Sequence, residues 1–132
     1  MRKALNLFVV LTAISVSACT YAFPIRIEGN LQTPAVVIDR IGLFRTQRPC
    51  ISSVTVSLAS SPDEPVWSVR HPSLGCIEVD RIAYGHLPDG FIEPRAAQAL
   101  ETGVVYEIWA SAPGGNGIAR VSYVNGRWRR LE

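Results

Sequence analysis

The chain has 132 residues, of which 48% are hydrophobic and 18% charged, and its formal net charge at pH 7 is +2. Two of its 13 basic residues, Arg2 and Lys3, lie in an N-terminal segment that we predict to be removed, which leaves eleven arginines against eleven Asp and Glu residues. This balance argues against a nucleic acid partner, which would require a basic surface, and the length fits one domain.

The N-terminal segment has the three parts of a secretory signal peptide. It begins with the basic pair Arg2-Lys3, continues with an apolar stretch over 5–16, and ends in small residues just before Cys19. The stretch is interrupted by polar residues and is too short for a bilayer-spanning helix, which needs about 20 predominantly apolar residues. We therefore predict that residues 1–18 are a signal peptide that is removed on export.

The end of this segment, Val16-Ser17-Ala18-Cys19, resembles the lipobox of bacterial lipoproteins. In that family the cysteine thiol is acylated, for example with palmitate, and the chain is cut just before it. The resemblance implies a lipid anchor on Cys19, with 19–24 as a lipidated tether. Thr20 is not the aspartate that marks inner-membrane retention, so the implied destination is the outer membrane, on either of its faces. The alternative is an ordinary secreted protein, cut after Ala18 or Ala22.

Cysteine usage fits the same compartment. The chain has three cysteines, and lipidation or removal of Cys19 leaves an even pair, Cys50 and Cys76. We predict a disulfide between them because exported proteins meet an oxidising environment. The functional alternative is a redox pair, but the two residues lack the close spacing that lowers a thiol pKa for exchange.

The mature sequence alternates apolar and polar residues with a period of two, which predicts β-strands. Only residues 93–101 look helical, and Pro94 near their start limits that prediction to two turns. The predicted strands are 23–28, 35–39, 51–58, 65–70, 76–82, 104–112, 118–124 and 127–131.

Turn-forming residues separate these strands. The sharpest signal is Asn125-Gly126, because these residue types supply the two positive φ angles of a type I′ turn. It predicts that 118–124 and 127–131 pair as a terminal hairpin. The segment 112–117, with Gly114-Gly115-Asn116-Gly117, has the composition of a recognition loop and also of a flexible hairpin tip.

About seven or eight short strands with turns at this spacing predict an all-β fold, either a small antiparallel β-sandwich or a small barrel, over 25–132. The stretch 100–110 resembles the passage from strand E to strand F of fibronectin type III domains, with Leu100, Gly103 and Tyr106 in the matching places. That resemblance implies that the Tyr106 hydroxyl bonds to the backbone at a sheet corner.

The sequence contains few residues that could form a catalytic site. Ser73, His86 and Asp89 supply the residue types of a hydrolase triad, but no strand-turn-helix nucleophile motif surrounds any serine. His71 and His86 match no metal-ligand spacing with a mechanism behind it. We predict neither an enzyme nor a metal or cofactor site.

Exposed arginines and aromatic residues are the best candidates for partner recognition. In the last strand, alternation places Arg127, Arg129 and Leu131 on one face, and Trp128 and Arg130 on the other. These arginines, Trp128 and Asn116 are the candidate binding residues. The structural alternative is that Trp128 fills the core while the arginines protect a terminal strand from edge-to-edge association. Trp67 and Trp109 stand in alternating strands, and we predict both to be core residues.

Two functions fit these features. The first is a membrane-anchored accessory lipoprotein that binds another envelope protein through a sheet edge or loop tips. The alternative is an inhibitor or immunity lipoprotein that blocks a periplasmic hydrolase or toxin with an inserted loop.

Overall fold

A computed structural model describes residues 21–132, so that the predicted signal peptide and Cys19 lie outside the described residues. The described part contains twelve β-strands and no helix, and therefore no helix long and apolar enough to cross a membrane. The strands are β1 (Tyr21–Ala22), β2 (Ile25–Glu28), β3 (Ala35–Ile38), β4 (Cys50–Ile51), β5 (Ser53–Leu58), β6 (Ser61–Arg70), β7 (Ile77–Glu78), β8 (Arg81–Ala83), β9 (Ile92–Arg95), β10 (Val105–Ala112), β11 (Gly115–Val124) and β12 (Arg127–Leu131).

Seven strands form one large sheet in the order β1-β11-β10-β5-β6-β9, and β12 pairs with the free part of β11 beyond β1. All neighbours run antiparallel except β1 and β11. A second sheet, β2-β3-β8, packs over the inner face of the large one, and β4 and β7 form a separate pair. The all-β sandwich prediction is confirmed. The barrel alternative is wrong, because the large sheet ends at β9 on one side and at β1 and β12 on the other.

The core lies between the two sheets. Trp67 and Ile108 from the large sheet and Ile25 from the small one are at most 1% exposed. Strand alternation accounts for this core, since β10 buries Tyr106, Ile108, Ala110 and Ala112 at every second position. The prediction that Trp67 is a core residue is confirmed.

The predicted helix over 93–101 is wrong. Residues Ile92–Arg95 form β9, which pairs with β6, and the following residues continue without regular structure. The Gln98 amide donates to the Val66 carbonyl at 2.9 Å, and the Tyr84 hydroxyl donates to the Gln98 carbonyl at 2.7 Å. These tertiary hydrogen bonds outweigh the weak helix propensity of the segment.

The Asn125-Gly126 turn is confirmed, with φ angles of 53° and 77° joining β11 to β12. The predicted glycine-rich loop over 112–117 is wrong in extent. The turn consists only of Pro113 and Gly114, while Gly115–Gly117 already pair with β10. Two of these glycines are required by close packing: a Cβ on Gly115 would lie 2.6 Å from the Tyr21 ring, and one on Gly117 would lie 2.7 Å from the Phe23 carbonyl oxygen.

The predicted disulfide and the predicted Tyr106 hydrogen bond are both present. Cys50 and Cys76 form a disulfide with their Cα atoms 5.2 Å apart, and this joins β4 to the segment before β7. The Tyr106 hydroxyl accepts a hydrogen bond from the Glu101 amide at 2.8 Å. The phenol is buried, which raises its pKa.

Candidate functional site

The terminal strand β12 divides its side chains between two faces as strand alternation predicts. Arg127, Arg129 and Leu131 are exposed, whereas Trp128 is half-buried, packs against the core and meets the Tyr123 ring edge-on at 5.1 Å. The Trp128 indole NH is buried without a hydrogen-bond partner among the described residues. The structure therefore favours a packing role for Trp128 over a binding role.

Arg130 shares the inner side of β12 with Trp128. Its guanidinium donates to the Ile25 carbonyl at 3.1 Å and to the Ile118 carbonyl at 3.4 Å. Ile25 belongs to the small sheet and Ile118 to the large one, so Arg130 links the edges of the two sheets. Arg130 is exposed but engaged in these bonds, whereas Arg127 and Arg129 make no side-chain hydrogen bond or ion pair among the described residues.

Asn116, the fifth candidate, lies inside β11 and not in a loop. It pairs with Ser111 of β10 and Ala22 of β1, and its carbonyl accepts from the Phe23 amide at 3.0 Å. Its side chain is half-buried. Asn116 therefore positions the N-terminal strand and is separate from Arg127 and Arg129.

Trp109 does not belong to the core, contrary to the prediction from its strand. It is 40% exposed on the outer side of the large sheet, directly opposite Ile118, which is 41% exposed. The sequence does contain the signal that identifies this face: Glu107 stands two residues earlier in β10, so the two side chains share a face. An acidic residue at that position indicates that this face is exposed to solvent.

We define the outer face by the exposed apolar residues and the charges that register places beside them. Leu131 pairs with Arg120, and Arg129 and Arg127 follow along β12. Arg120 donates to the Glu107 carboxylate at 3.1 Å across the strand pair. The outer face thus consists of Trp109, Ile118, Leu131, Arg120, Arg127, Arg129 and Glu107.

The charge of the outer face is positive although the arginines and the acidic residues of 21–132 balance. Three arginines stand on it against one carboxylate, and Arg120 pairs with that carboxylate. A small-hydroxyl stripe on β5, Ser53, Thr55 and Ser57, borders it through the register with β10. Tryptophan and arginine are enriched in binding hot spots, and Arg127 and Arg129, which form no ion pair among the described residues, favour an acidic partner.

The edges of the large sheet are poorer candidates for strand addition. The edge strand β9 carries Pro94, which has no amide hydrogen to donate, and β12 carries three arginines in five residues. Both features are typical of edges that are protected from pairing with another chain. The broad face is therefore better suited to a partner than the edges are.

The residues considered for catalysis do not come together. Ser73 Oγ lies 3.1 Å from His71 Nδ1 within one exposed loop, and His86 Nδ1 instead lies 3.2 Å from the Tyr84 carbonyl oxygen. Asp89 forms no ion pair or side-chain hydrogen bond with either histidine in the described part of the chain. Within residues 21–132, no three His, Cys, Asp or Glu side chains are grouped so that they could hold a metal ion.

Comparison of the chain with protein-family models, with curated proteins and with solved structures finds no match.

Proposed function

We propose that this protein is a membrane-anchored envelope lipoprotein that acts as a non-catalytic accessory module and binds another envelope protein. The outer face is the binding surface, and an acidic surface with an apolar centre is its complement. The observation that carries the proposal is the exposed Trp109–Ile118 pair on the outer side of the large sheet, with Arg120 and Leu131 in the next row and Arg129 and Arg127 further along β12.

The energetics of such a contact follow from its composition. Burying a large apolar side chain contributes about 1.5–3 kcal/mol, and tryptophan and arginine at the centre of an interface carry a large share of binding energy. The arginines at the border would increase the association rate with an acidic partner and select against basic ones. These side chains stand on strands that are already paired in the sheet, so their backbone loses little entropy on binding.

The proposed anchor on Cys19 stands directly before the first strand of the described domain. Tyr21 and Ala22, within the predicted tether, pair with Gly115 and Asn116 of β11. Tyr21 stands two positions after Cys19, and two residues span at most about 7 Å. The domain would therefore be held against the lipid headgroups, where its partner is also an envelope component.

The test is crosslinking in intact cells, followed by recovery of the lipidated protein and identification of its partner by mass spectrometry. Trp109→Ala and Arg129→Glu should each reduce the recovered partner several-fold, because they remove the apolar centre and reverse a border charge. Matched controls are Leu87→Ala, an exposed leucine between β8 and β9, and Arg95→Glu on the opposite edge strand. Both controls should leave recovery unchanged.

Each variant is also checked by its melting temperature and by its sedimentation with membranes. Equal partner recovery from all four folded, membrane-bound variants would rule out the outer face as the binding surface. Capture of one stoichiometric periplasmic hydrolase or toxin would support the inhibitor alternative, whereas components of one envelope assembly would support the accessory module.

A further inference from the structure

Three large apolar side chains stand almost fully in solvent. Leu43 is 92% exposed, Phe44 is 81% exposed and Leu74 is 101% exposed, whereas the next most exposed large apolar residue in the described chain, Leu87, is only 50% exposed. Isolated exposed leucines are ordinary in soluble proteins, but a group of them at one place marks a contact surface. Their location decides what that contact is.

All three lie at one end of the large sheet. Arg70, Ser53 and Ser111 form one register row, so the loop after β6, the segment before β5 and the turn after β10 leave the sheet together. Leu74 belongs to the loop after β6, whereas Leu43 and Phe44 lie between β3 and β4, in a loop whose base residues Ile41 and Gln47 line a hollow together with Tyr21. We call this region the tether end: Tyr21, the loops 41–47 and 71–75, and the turn 113–114.

The loop 41–47 is a short hairpin with an apolar tip. Ile41 and Gln47 exchange two backbone hydrogen bonds of 2.7 and 3.1 Å, and the Arg45 amide donates to the Gly42 carbonyl at 3.1 Å. Gly42 has a φ of 95°, a conformation that favours glycine. This closed turn leaves Leu43 and Phe44 no core to pack against, so their exposure is a property of the hairpin itself.

The disulfide joins the bases of the two loops. Cys50 follows the loop 41–47 and Cys76 follows the loop 71–75, so the bond between them holds the C-terminal bases of the two loops together. Leu43, Phe44 and Leu74 therefore stand on two loops that are covalently joined at their bases.

The N-terminal chain leaves the domain in the same region. The Tyr21 amide donates to the Gly114 carbonyl at 2.9 Å, and the Tyr21 side chain shares a hollow of about 770 Å³ with Ile41, Gln47 and Cys50. Cys19 is only two residues before Tyr21, a distance of at most about 7 Å. An acyl chain on Cys19 would bring the tether end to the membrane surface.

The arginines in and directly beside the loops of the tether end suit an anionic membrane. Arg40 and Arg48, which flank the loop 41–47, share the Asp80 carboxylate, whereas Arg45 in that loop and Arg70 just before the loop 71–75 form no ion pair within the described residues. Apolar side chains flanked by arginines bind the interface of a bilayer by combining burial with attraction to acidic headgroups.

We propose that the tether end is a second, non-covalent membrane contact, in which Leu43, Phe44 and Leu74 insert into the interface of an anionic bilayer beside the acyl anchor. This inference rests on the proposed lipidation of Cys19. Two attachment points prevent free rotation about the tether, and so they hold the outer face at a fixed angle to the membrane.

The test measures insertion depth by spin-label accessibility on the full-length lipidated protein in phosphatidylethanolamine–phosphatidylglycerol vesicles. Labels are placed through Leu43→Cys, Leu74→Cys and, as a control at the distal end of β11, Asn125→Cys. Labels at 43 and 74 should be several-fold more accessible to oxygen than to a water-soluble nickel chelate. The label at 125, about 30 Å along the strand from the tether end, should show the reverse preference.

The double variant Leu43→Asp with Phe44→Asp should also expose the label at 74 to the nickel chelate, whereas Leu131→Asp on the outer face should not. Water-like accessibility at 43 and 74 in protein that remains on the vesicles would overturn this inference and leave the proposed anchor intact. Failure of the unmodified protein to remain on the vesicles would overturn both.

Discussion

At the scale of single residues, the Tyr106 hydroxyl closes the corner before β10 by accepting the Glu101 amide. Tyr106→Phe leaves that half-buried amide without its partner, and we expect a loss of about 1–2 kcal/mol in unfolding free energy. Denaturant unfolding measures this loss. The matched control is Tyr123→Phe, whose hydroxyl makes no hydrogen bond among the described residues; an equal loss in both variants would contradict the assignment.

The partly buried phenol of Tyr84 should make the stability of the protein depend on pH. Burial, with a smaller contribution from Tyr106, raises the pKa of its phenol above the ordinary value of 10.0. The unfolded chain then loses its proton near pH 10 while the folded protein keeps it, so stability is full below pH 10 and falls as the pH rises above it. Tyr84→Phe should flatten the decrease in melting temperature above about pH 10. An identical alkaline decrease in the variant would show that other groups cause it.

The two tryptophans show what the residues alone can and cannot tell. Trp67 and Trp109 both stand in alternating strands, yet Trp67 is fully buried and Trp109 is 40% exposed. Alternation assigns side chains to two faces without saying which face is covered. For Trp109 the neighbouring Glu107 indicates the exposed face. The groups that cover Trp67 are distant in sequence: the Tyr84 ring lies 4.9 Å away, and Glu93 accepts from the indole NH at 3.0 Å.

At the scale of elements, β1 packs closely on β11 because the Tyr21 ring lies directly over Gly115. Gly115→Ala would place a Cβ 2.6 Å from the Tyr21 ring and push β1 away. We expect a clear decrease in melting temperature and faster amide exchange at Tyr21 and Ala22. The clash depends on the ring, so adding Gly115→Ala to a Tyr21→Ala background should cost little more. Equal costs in the two backgrounds would mean that Gly115 acts through the backbone alone.

Local pattern predicted the long strands and failed where tertiary contacts decide. The strands at 53–58, 105–112 and 127–131 are predictable from the sequence because alternation and an Asn-Gly turn determine them. The segment 93–101 has a helix-favouring composition, but hydrogen bonds between Gln98 and the distant residues Val66 and Tyr84 hold it in a non-helical conformation. The composition of 112–117 indicates a loop. Gly115 and Gly117 belong to a strand instead, because the Tyr21 ring and the Phe23 carbonyl pack on them, and this contact cannot be seen in the local sequence.

At the scale of the whole molecule, the disulfide constrains the unfolded chain. The bridge spans 26 residues, and loop-closure entropy assigns it about 3.5 kcal/mol. A small domain has about 5–15 kcal/mol in total, so Cys50→Ala combined with Cys76→Ala should lower the melting temperature by many degrees. Oxidised and reduced wild-type protein should differ by a similar amount. A melting temperature that is insensitive to both changes would contradict this role.

The proposed anchor on Cys19 predicts where the protein is located, because a serine at this position has no thiol to acylate. Cys19→Ser should therefore release the protein into the soluble fraction with an unchanged melting temperature. Recovery of its crosslinked partner should also fall, since tethering to the same membrane keeps both proteins at a high effective concentration. Fractionation followed by crosslinking of the variant and the wild type measures both effects. A variant that still sediments with membranes would refute the anchor. A released variant with undiminished partner recovery would show that the outer face binds strongly enough without it.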